Sequence, residues 1–145
     1  MTTLRQFLLD KEYHRIKLEY TKTNHFEIKA FLNGVEGNFI VDTGASNSCV
    51  GFDAVEKFKL FTQESDVKAA GAGATDMHTQ LSKKNTLQLG KWSRKNVSLI
   101  LFDLTHVNTA LTTHDATPVD GIIGADVLKR GKAVIDYEKK CLYLK

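Results

Sequence analysis

Apolar and polar residues alternate over several short stretches of the chain, which is the pattern of half-buried β-strands. The first two stretches cover residues 16–20 and 26–32. Asn33-Gly34 follows the second stretch directly, and this dipeptide favours the positive φ angles of a tight hairpin turn. We therefore predict that the chain folds back there into a strand that ends at residues 39–41 and leads into Asp42.

The same strand-like pattern continues to the end of the sequence. Residues 48–50 predict a returning strand, and Asp53 with Glu56 predicts a short helix that ends at Phe58. Residues 87–89 and 97–101 predict a pair of strands joined by a turn, and residues 104–111 predict a helical turn within a long loop. A strand before a short helix is predicted at 121–123, and a terminal hairpin at 133–145. The pattern therefore predicts an all-β domain with one or two short helices.

Size and composition add few constraints. A chain of 145 residues with 42% apolar and 26% charged residues fits a single packed domain over 1–145. The net charge of +3 is small and scattered, so we expect no nucleic-acid partner. The apolar run at residues 7–9 is too short for a signal peptide or a membrane span, so we expect a cytoplasmic protein without membrane contact. Cys49 and Cys141 are expected to be buried free thiols.

Metal and cofactor chemistry is not indicated by the sequence. The five histidines show no ligand spacing, so we expect no metal. Gly71 and Gly73 lack the third glycine of a dinucleotide-binding motif, and we expect no cofactor. The segment Gly44–Ser48 misses the last glycine of a serine-hydrolase nucleophile elbow.

The segment FIVDTGAS, residues 39–46, is the strongest candidate for a catalytic site. A lone Asp-Thr-Gly is usually a capped loop, because aspartate and glycine are common turn residues. Here it is followed by a glycine- and alanine-rich tract within residues 66–82 and by Ile122-Ile123-Gly124 before a short helix. In this order the motifs resemble the retropepsin-like aspartic peptidases, closest to the cellular and bacterial branches, over roughly residues 26–144.

The resemblance implies an acid-protease barrel and a role for each matching residue. Asp42 would be the acid and base, Thr43 would hydrogen-bond across a dimer, and Gly44 would offer its N–H to the carboxylate. It also implies substrate contacts from the catalytic loop and from the tip of a flap hairpin at 66–82: Ala45, Ser46, Asn47, Gly71, Ala72 and Gly73. Ile122, Ile123 and Gly124 would support the catalytic loop. Residues 1–20 would form an N-terminal extension with the first strand.

The chemistry of such a site requires two carboxyl groups. One ionised group takes a proton from water while a protonated one polarises the peptide carbonyl, and two carboxyls in contact share one proton. The chain contains one Asp-Thr-Gly. An active site of this type therefore requires a homodimer in which two copies of Asp42 meet at a two-fold axis, acting on an extended peptide.

Other interpretations of these residues stay open. Asp120 is read as a turn residue and Asp126 as a helix-start residue rather than as catalysts. His106 and His114 are read as surface residues of the long loop, where one of them would serve specificity or a pH response. The chain would also fit an inactive dimer that binds peptides in the same groove, or an inactive monomer.

Overall fold

The structure is a computed structural model that describes residues 1–64, 69–71 and 74–145. Short strands dominate it. They are β1 (His14–Lys17), β2 (Glu19–Tyr20), β3 (Phe26–Leu32), β4 (Val35–Val41), β5 (Cys49–Gly51), β6 (Gln63–Glu64), β7 (Ala69–Gly71), β8 (Ala74–Met77), β9 (Gln80–Leu89), β10 (Trp92–Phe102), β11 (Gly121–Ile123), β12 (Val134–Asp136) and β13 (Cys141–Leu144). The helices are α1 (Leu4–Asp10), α2 (Thr105–Thr113) and α3 (Ala125–Arg130).

The main sheet closes into a barrel. Its strand order is β2-β3-β4-β11-β5-β10-β9-β6, and an additional pairing of β3 with β9 joins the two halves. Six strands therefore form a closed ring, with β2 and β6 attached at its margins. Closure removes exposed edges from these six strands. The predicted all-β barrel is confirmed.

The β3–β4 hairpin shows how the sequence specifies this barrel. Asn33 has a φ of 51° and Gly34 a φ of 83°, the positive angles of the predicted two-residue turn. In β3, Ile28, Ala30 and Leu32 are at most 2% exposed, while the residues between them face outward. The hairpin thus fixes both the inward face of β3 and the direction of β4 towards Asp42.

A second sheet has the strand order β1-β13-β12 and joins the two ends of the chain. Helix α1 packs on it through Leu8, which lies against Cys141 and Tyr143. The sequence pattern did not predict α1, because Leu8 is the helix's only buried residue and one position makes no periodic stripe. The helix begins with a capping box between Thr3 and Gln6.

Several predicted boundaries were wrong. The single strand predicted at 16–20 is two strands, β1 and β2, which belong to different sheets. They are separated at Leu18, whose N–H donates to the Lys140 carbonyl oxygen. The turn predicted between residues 89 and 97 lies at Gly90, with a φ of 59°. The second strand, β10, begins earlier than predicted, at Trp92, so Asn96 lies within it at a shift in register. In place of the predicted helix from Asp53 to Phe58 the structure has a short 3₁₀ turn, Phe52–Ala54.

The long connection before β11 and the predicted flap are only partly as expected. Helix α2 begins one residue after the start of the helical turn predicted at 104–111 and ends two residues beyond it. Strands β7 and β8 pair as an antiparallel two-stranded sheet within the predicted flap hairpin. Ala72 and Gly73, predicted at its tip, lie outside the described residues. Within the described ranges, no helix is long and apolar enough to cross a membrane.

Candidate active site

Asp42 follows directly after β4, at the point where this strand runs parallel to β11. The two strands pair from Gly121↔Phe39 to Ile123↔Val41. The Asp42 N–H continues the ladder by donating to the Ile123 carbonyl oxygen at 2.9 Å. The backbone of Asp42 is therefore held by the barrel, while its side chain begins the loop beyond it.

The loop after Asp42 is organised by its own backbone. The Gly44 N–H donates to Asp42 Oδ1 at 2.9 Å, and the Ala45 N–H donates to the Asp42 carbonyl at 3.2 Å. These bonds form a tight turn that holds the carboxylate against the chain. The bond from Gly44 is the contact that the family resemblance implied, and the catalytic role of Asp42 stays a prediction.

The predicted catalytic residues of this loop, 42–44, and its predicted substrate-contacting residues, 45–47, are accessible on a single chain. Asp42, Thr43, Gly44, Ser46 and Asn47 are exposed, and Ala45 is half-buried. Thr43 also lines an open cleft of about 320 Å³ beside α3 and β12. Gly71, the described member of the predicted flap tip, ends β7 in the separate two-stranded sheet.

The predicted supporting triplet lies directly beneath the catalytic loop. Ile123 is fully buried, and Ile122 is half-buried within β11. A Cβ at Gly124 would lie 2.5 Å from the Ala45 carbonyl oxygen, so this position has space for glycine alone. The Ala125 N–H then donates to the same carbonyl at 2.7 Å. The structure thus brings residues 123–125 into contact with the loop, and the supporting role of Ile122, Ile123 and Gly124 stays a prediction.

A buried hydrogen-bond network around Ser48 was missed by sequence reasoning. Ser48 Oγ accepts from the Gly124 N–H at 2.8 Å and donates to Asp126 Oδ1 at 2.7 Å. The same carboxylate oxygen accepts from the N–H groups of Ser48 and Val127. Asp126 therefore lies in the first turn of α3, as its position suggested, and its side chain ties α3 to the loop. The two residues are 78 positions apart, and no local pattern signals their contact.

Replacing Ser48 by alanine is expected to lower the free energy of unfolding by about 1–3 kcal/mol, because the buried Gly124 N–H loses its acceptor. Denaturant unfolding of the two proteins at one concentration measures this difference. Ser98→Ala, at an exposed serine of β10, is the matched control and should change stability by less than about 0.5 kcal/mol. Equal losses in the two variants would contradict the supporting role of Ser48.

Asp120 is engaged away from the catalytic loop. Its Oδ2 accepts from the Asn38 N–H at 2.9 Å and pairs with Lys57 Nζ at 3.0 Å. The Asp120 carboxylate thus links the residue directly before β11 to the middle of β4. This agrees with a structural role, as predicted for a turn residue. Neither Asp120 nor Asp126 is therefore available as a second acid beside Asp42.

Nucleophilic and metal chemistry find little support near the site. Burial raises the pKa of the Cys49 thiol to about 12, so the reactive thiolate does not form at neutral pH. Cys141 is also a free, fully buried cysteine. Within residues 1–64, 69–71 and 74–145, no group of His, Cys, Asp and Glu side chains is placed to hold a metal ion.

Comparisons with known proteins agree with this geometry. Residues 28–127 match the family model described as aspartyl protease. A retropepsin-like aspartic protease from Rickettsia conorii is 24% identical, with a TM-score of 0.57, and the alignment covers 91% of this chain and 90% of that one. EIAV protease complexed with the inhibitor HBY-793 is 18% identical, with a TM-score of 0.60 and coverage of 81% and 98%.

A third solved structure has the same fold. The retroviral protease-like domain of Ddi1 from Leishmania major is 20% identical, with a TM-score of 0.54, over 82% of this chain and 86% of that one. At these identities the structural likenesses establish the fold. The search among curated proteins found no match.

Proposed function

Because the chain belongs to the aspartyl protease family and has the retropepsin-like fold, we propose that it is an aspartic endopeptidase that works as a homodimer. The observation that carries the proposal is the loop at Asp42, where a backbone N–H holds an exposed carboxylate at the end of a barrel strand. A carboxylate on a rigid strand end is positioned for chemistry with little reorganisation.

The second carboxylate comes from a second copy of the chain. Asp120 and Asp126 are each bonded elsewhere, so they do not complete a dyad with Asp42. Two copies of Asp42 across a two-fold axis would share one proton, because two adjacent carboxyls do not both ionise. One would activate a water molecule while the other protonates or polarises the scissile carbonyl.

The other site residues position these groups. The Gly44 N–H orients one oxygen of the carboxylate. Thr43 would hydrogen-bond to the partner copy, and Ala45, Ser46 and Asn47 would bind the backbone of an extended peptide. The β7–β8 hairpin with Gly71, Ala72 and Gly73 would close over that peptide and exclude water.

The sheet that joins the chain ends would contribute to the dimer. Strand β12 and helix α3 flank the open cleft that Thr43 lines, together with Leu128, Ala133 and Ile135. Ala133 and Ile135 are partly exposed, and partly exposed apolar side chains next to the catalytic loop are suited to contact a second copy. We therefore propose that the interface extends from Thr43 over this cleft to the hairpin at 133–145.

The test combines association with cleavage. Sedimentation over a concentration series establishes whether a dimer forms, and a mixed peptide library is then incubated with that dimer from acid to neutral pH. Cleavage mapped by mass spectrometry and blocked by a pepstatin-type inhibitor is the expected result. A chain that stays monomeric at high concentration would contradict the shared dyad. A dimer that cleaves no peptide would indicate a peptide-binding groove without catalysis.

A further inference from the structure

A cleft of about 600 Å³ lies between the turn before β3 and helix α2. Its apolar lining consists of Ile40, Val107, Ala110 and Leu111. Four basic side chains also line the cleft: Lys22, His25, His106 and His114. We name this feature the histidine cleft. Neither the proposed dyad nor the hydrogen-bond network of Ser48 uses any of these residues.

Helix α2 and its C-cap residue, His114, place two of the histidines in one row. His106, Ala110 and His114 are spaced four residues apart, so they follow one face of the helix. At a rise of about 1.5 Å per residue, the first and last are about 12 Å apart along the axis. Alternate side chains of an extended peptide share a face, and positions four residues apart are about 13 Å apart. One face of an extended segment therefore matches the row in length.

The third histidine is fixed on the opposite side of the cleft. His25 Nδ1 lies 2.8 Å from Thr23 Oγ1, and the His25 N–H donates to Thr21 Oγ1 at 3.2 Å. Thr21 Oγ1 in turn lies 2.9 Å from Thr23 Oγ1. These bonds hold the imidazole of His25 on the turn that also carries Lys22.

The charge of the histidine cleft favours an anion. In the described part of the chain, no Asp or Glu lines it. Among nearby carboxylates, Asp103 accepts hydrogen bonds from the Thr105 N–H and hydroxyl. Glu27, which lies near His25 in sequence, faces a different groove beside Lys29 on the outer side of β3. Asp115 follows His114 and is exposed outside the lining. Glu27 interacts electrostatically with His25, and Asp103 with His106, but neither carboxylate lines the cleft. Inside the cleft, the nitrogen groups therefore face a ligand that brings its own negative charge.

The position of the histidine cleft connects it with the proposed chemistry. Ile40, which lines it, precedes Asp42 by two residues at the end of β4. At about 3.3 Å per residue, their backbones are separated by about 7 Å. Ile40 also packs against Leu111 and Val119, so α2 is attached to the strand that carries Asp42. A peptide bound at Asp42 would reach the cleft within two or three residues.

We propose that the histidine cleft is a subsite for acidic side chains, so that the preferred substrates are extended peptides with Glu or Asp near the cleaved bond. The apolar lining accommodates the methylene groups of glutamate, and the surrounding nitrogen groups bind its carboxylate. This proposal rests on the proposed peptidase function, because the bound peptide is a substrate only if the protein cleaves it. Binding itself is measurable without cleavage.

Binding is tested on the inactive Asp42→Asn protein with two peptides. One has glutamate at two positions four residues apart, separated by alanine and valine, and its twin has glutamine at both positions. Ring resonances of the histidines are followed by NMR at pH 6, since imidazole takes up protons between about pH 5 and 8. We expect the glutamate peptide to shift His25, His106 and His114 and to bind about five- to tenfold more tightly than its twin.

Two variants locate the effect. The double variant His106→Gln and His114→Gln should reduce the preference for glutamate to less than about twofold, since it removes the row on α2. His14→Gln, at an exposed histidine of β1, should leave the preference unchanged. Equal affinity for the two peptides, or shifts confined to other histidines, would overturn the proposal.

Cleavage of the same peptide pair by the unmodified protein separates the two proposals. Preferred cleavage of glutamate peptides would support both of them. Cleavage without this preference, and without shifts of the three histidines, would refute the acidic subsite while leaving the peptidase intact. Selective binding of the glutamate peptide by a dimer that cleaves nothing would refute the peptidase while leaving the acidic site intact.

Discussion

Replacing Asp42 by asparagine is expected to lower peptide cleavage by at least about a thousandfold, because general acid–base catalysis alone contributes about 10²–10⁴ and both members of the dyad are changed. Asparagine has the same shape, and its carbonyl oxygen still accepts the Gly44 N–H. The fold and the dimer should therefore survive. Cleavage of a library-derived peptide is the measurement, with sedimentation and unfolding on the same preparations.

The matched control is Asp120→Asn, the same chemical change at another carboxylate. Asp120 accepts from the Asn38 N–H and pairs with Lys57, so its replacement should cost stability and leave cleavage by the folded protein within about twofold. Similar losses of cleavage in the two variants would mean that Asp42 has no special role in the chemistry.

Mixing the two forms tests whether the dyad is shared between chains. When unmodified chains and Asp42→Asn chains are combined in equal amounts and exchange freely, about one quarter of the dimers contain two aspartates. Cleavage per unmodified chain should then fall to about half. A rate that depends only on the amount of unmodified chain would show that each copy works alone, which contradicts the two-chain mechanism.

The sequence predicted the parts of this site that are encoded locally. The Asn33-Gly34 turn, the alternating burial of β3 and the apolar strand entering Asp42 are each specified within a few residues. The position of the Ile122-Ile123-Gly124 strand beside this loop came from the family resemblance instead. No local pattern could have paired β11 in parallel with β4 across some eighty residues.

The features that were missed depend on tertiary structure. The contact of Ser48 with Asp126 joins residues 78 positions apart, and an ordinary serine in a strand gives no sign of it. Gly90 and Asn96 both have positive φ angles, and only the pairing of β9 with β10 decides which of them is the turn. The histidine cleft likewise exists because α2 packs on Ile40, and His106 and His114 taken singly resembled ordinary surface residues.

Replacing Gly124 by alanine is expected to lower the free energy of unfolding by about 3 kcal/mol, at the upper end of the cost of overpacking. The backbone angles of Gly124, φ −104° and ψ −170°, are open to any residue, so conformation adds no penalty. The cost is steric, since the new Cβ would lie 2.5 Å from the Ala45 carbonyl oxygen and 3.1 Å from that of Asn47. Backbone atoms cannot rotate away as a flexible side chain does.

Gly34→Ala is the matched control, because it introduces the same methyl group where the backbone angle is strained but no atom is close. A Cβ at Gly34 meets nothing within 4 Å, but the φ of 83° is strained for alanine and costs about 1 kcal/mol. Denaturant unfolding of both variants is compared at one protein concentration, since association adds to the stability of a dimer.

Activity separates the two variants further. In Gly124→Ala the catalytic loop must move, because the Ala45 carbonyl that the methyl group displaces belongs to the turn beside Asp42. Cleavage by the folded fraction should fall at least about tenfold, since small displacements of catalytic groups are costly. Gly34→Ala should cleave normally once folded. If the Gly34 variant lost more stability or more activity than the Gly124 variant, the contact between the triplet and the loop would not be what positions Asp42.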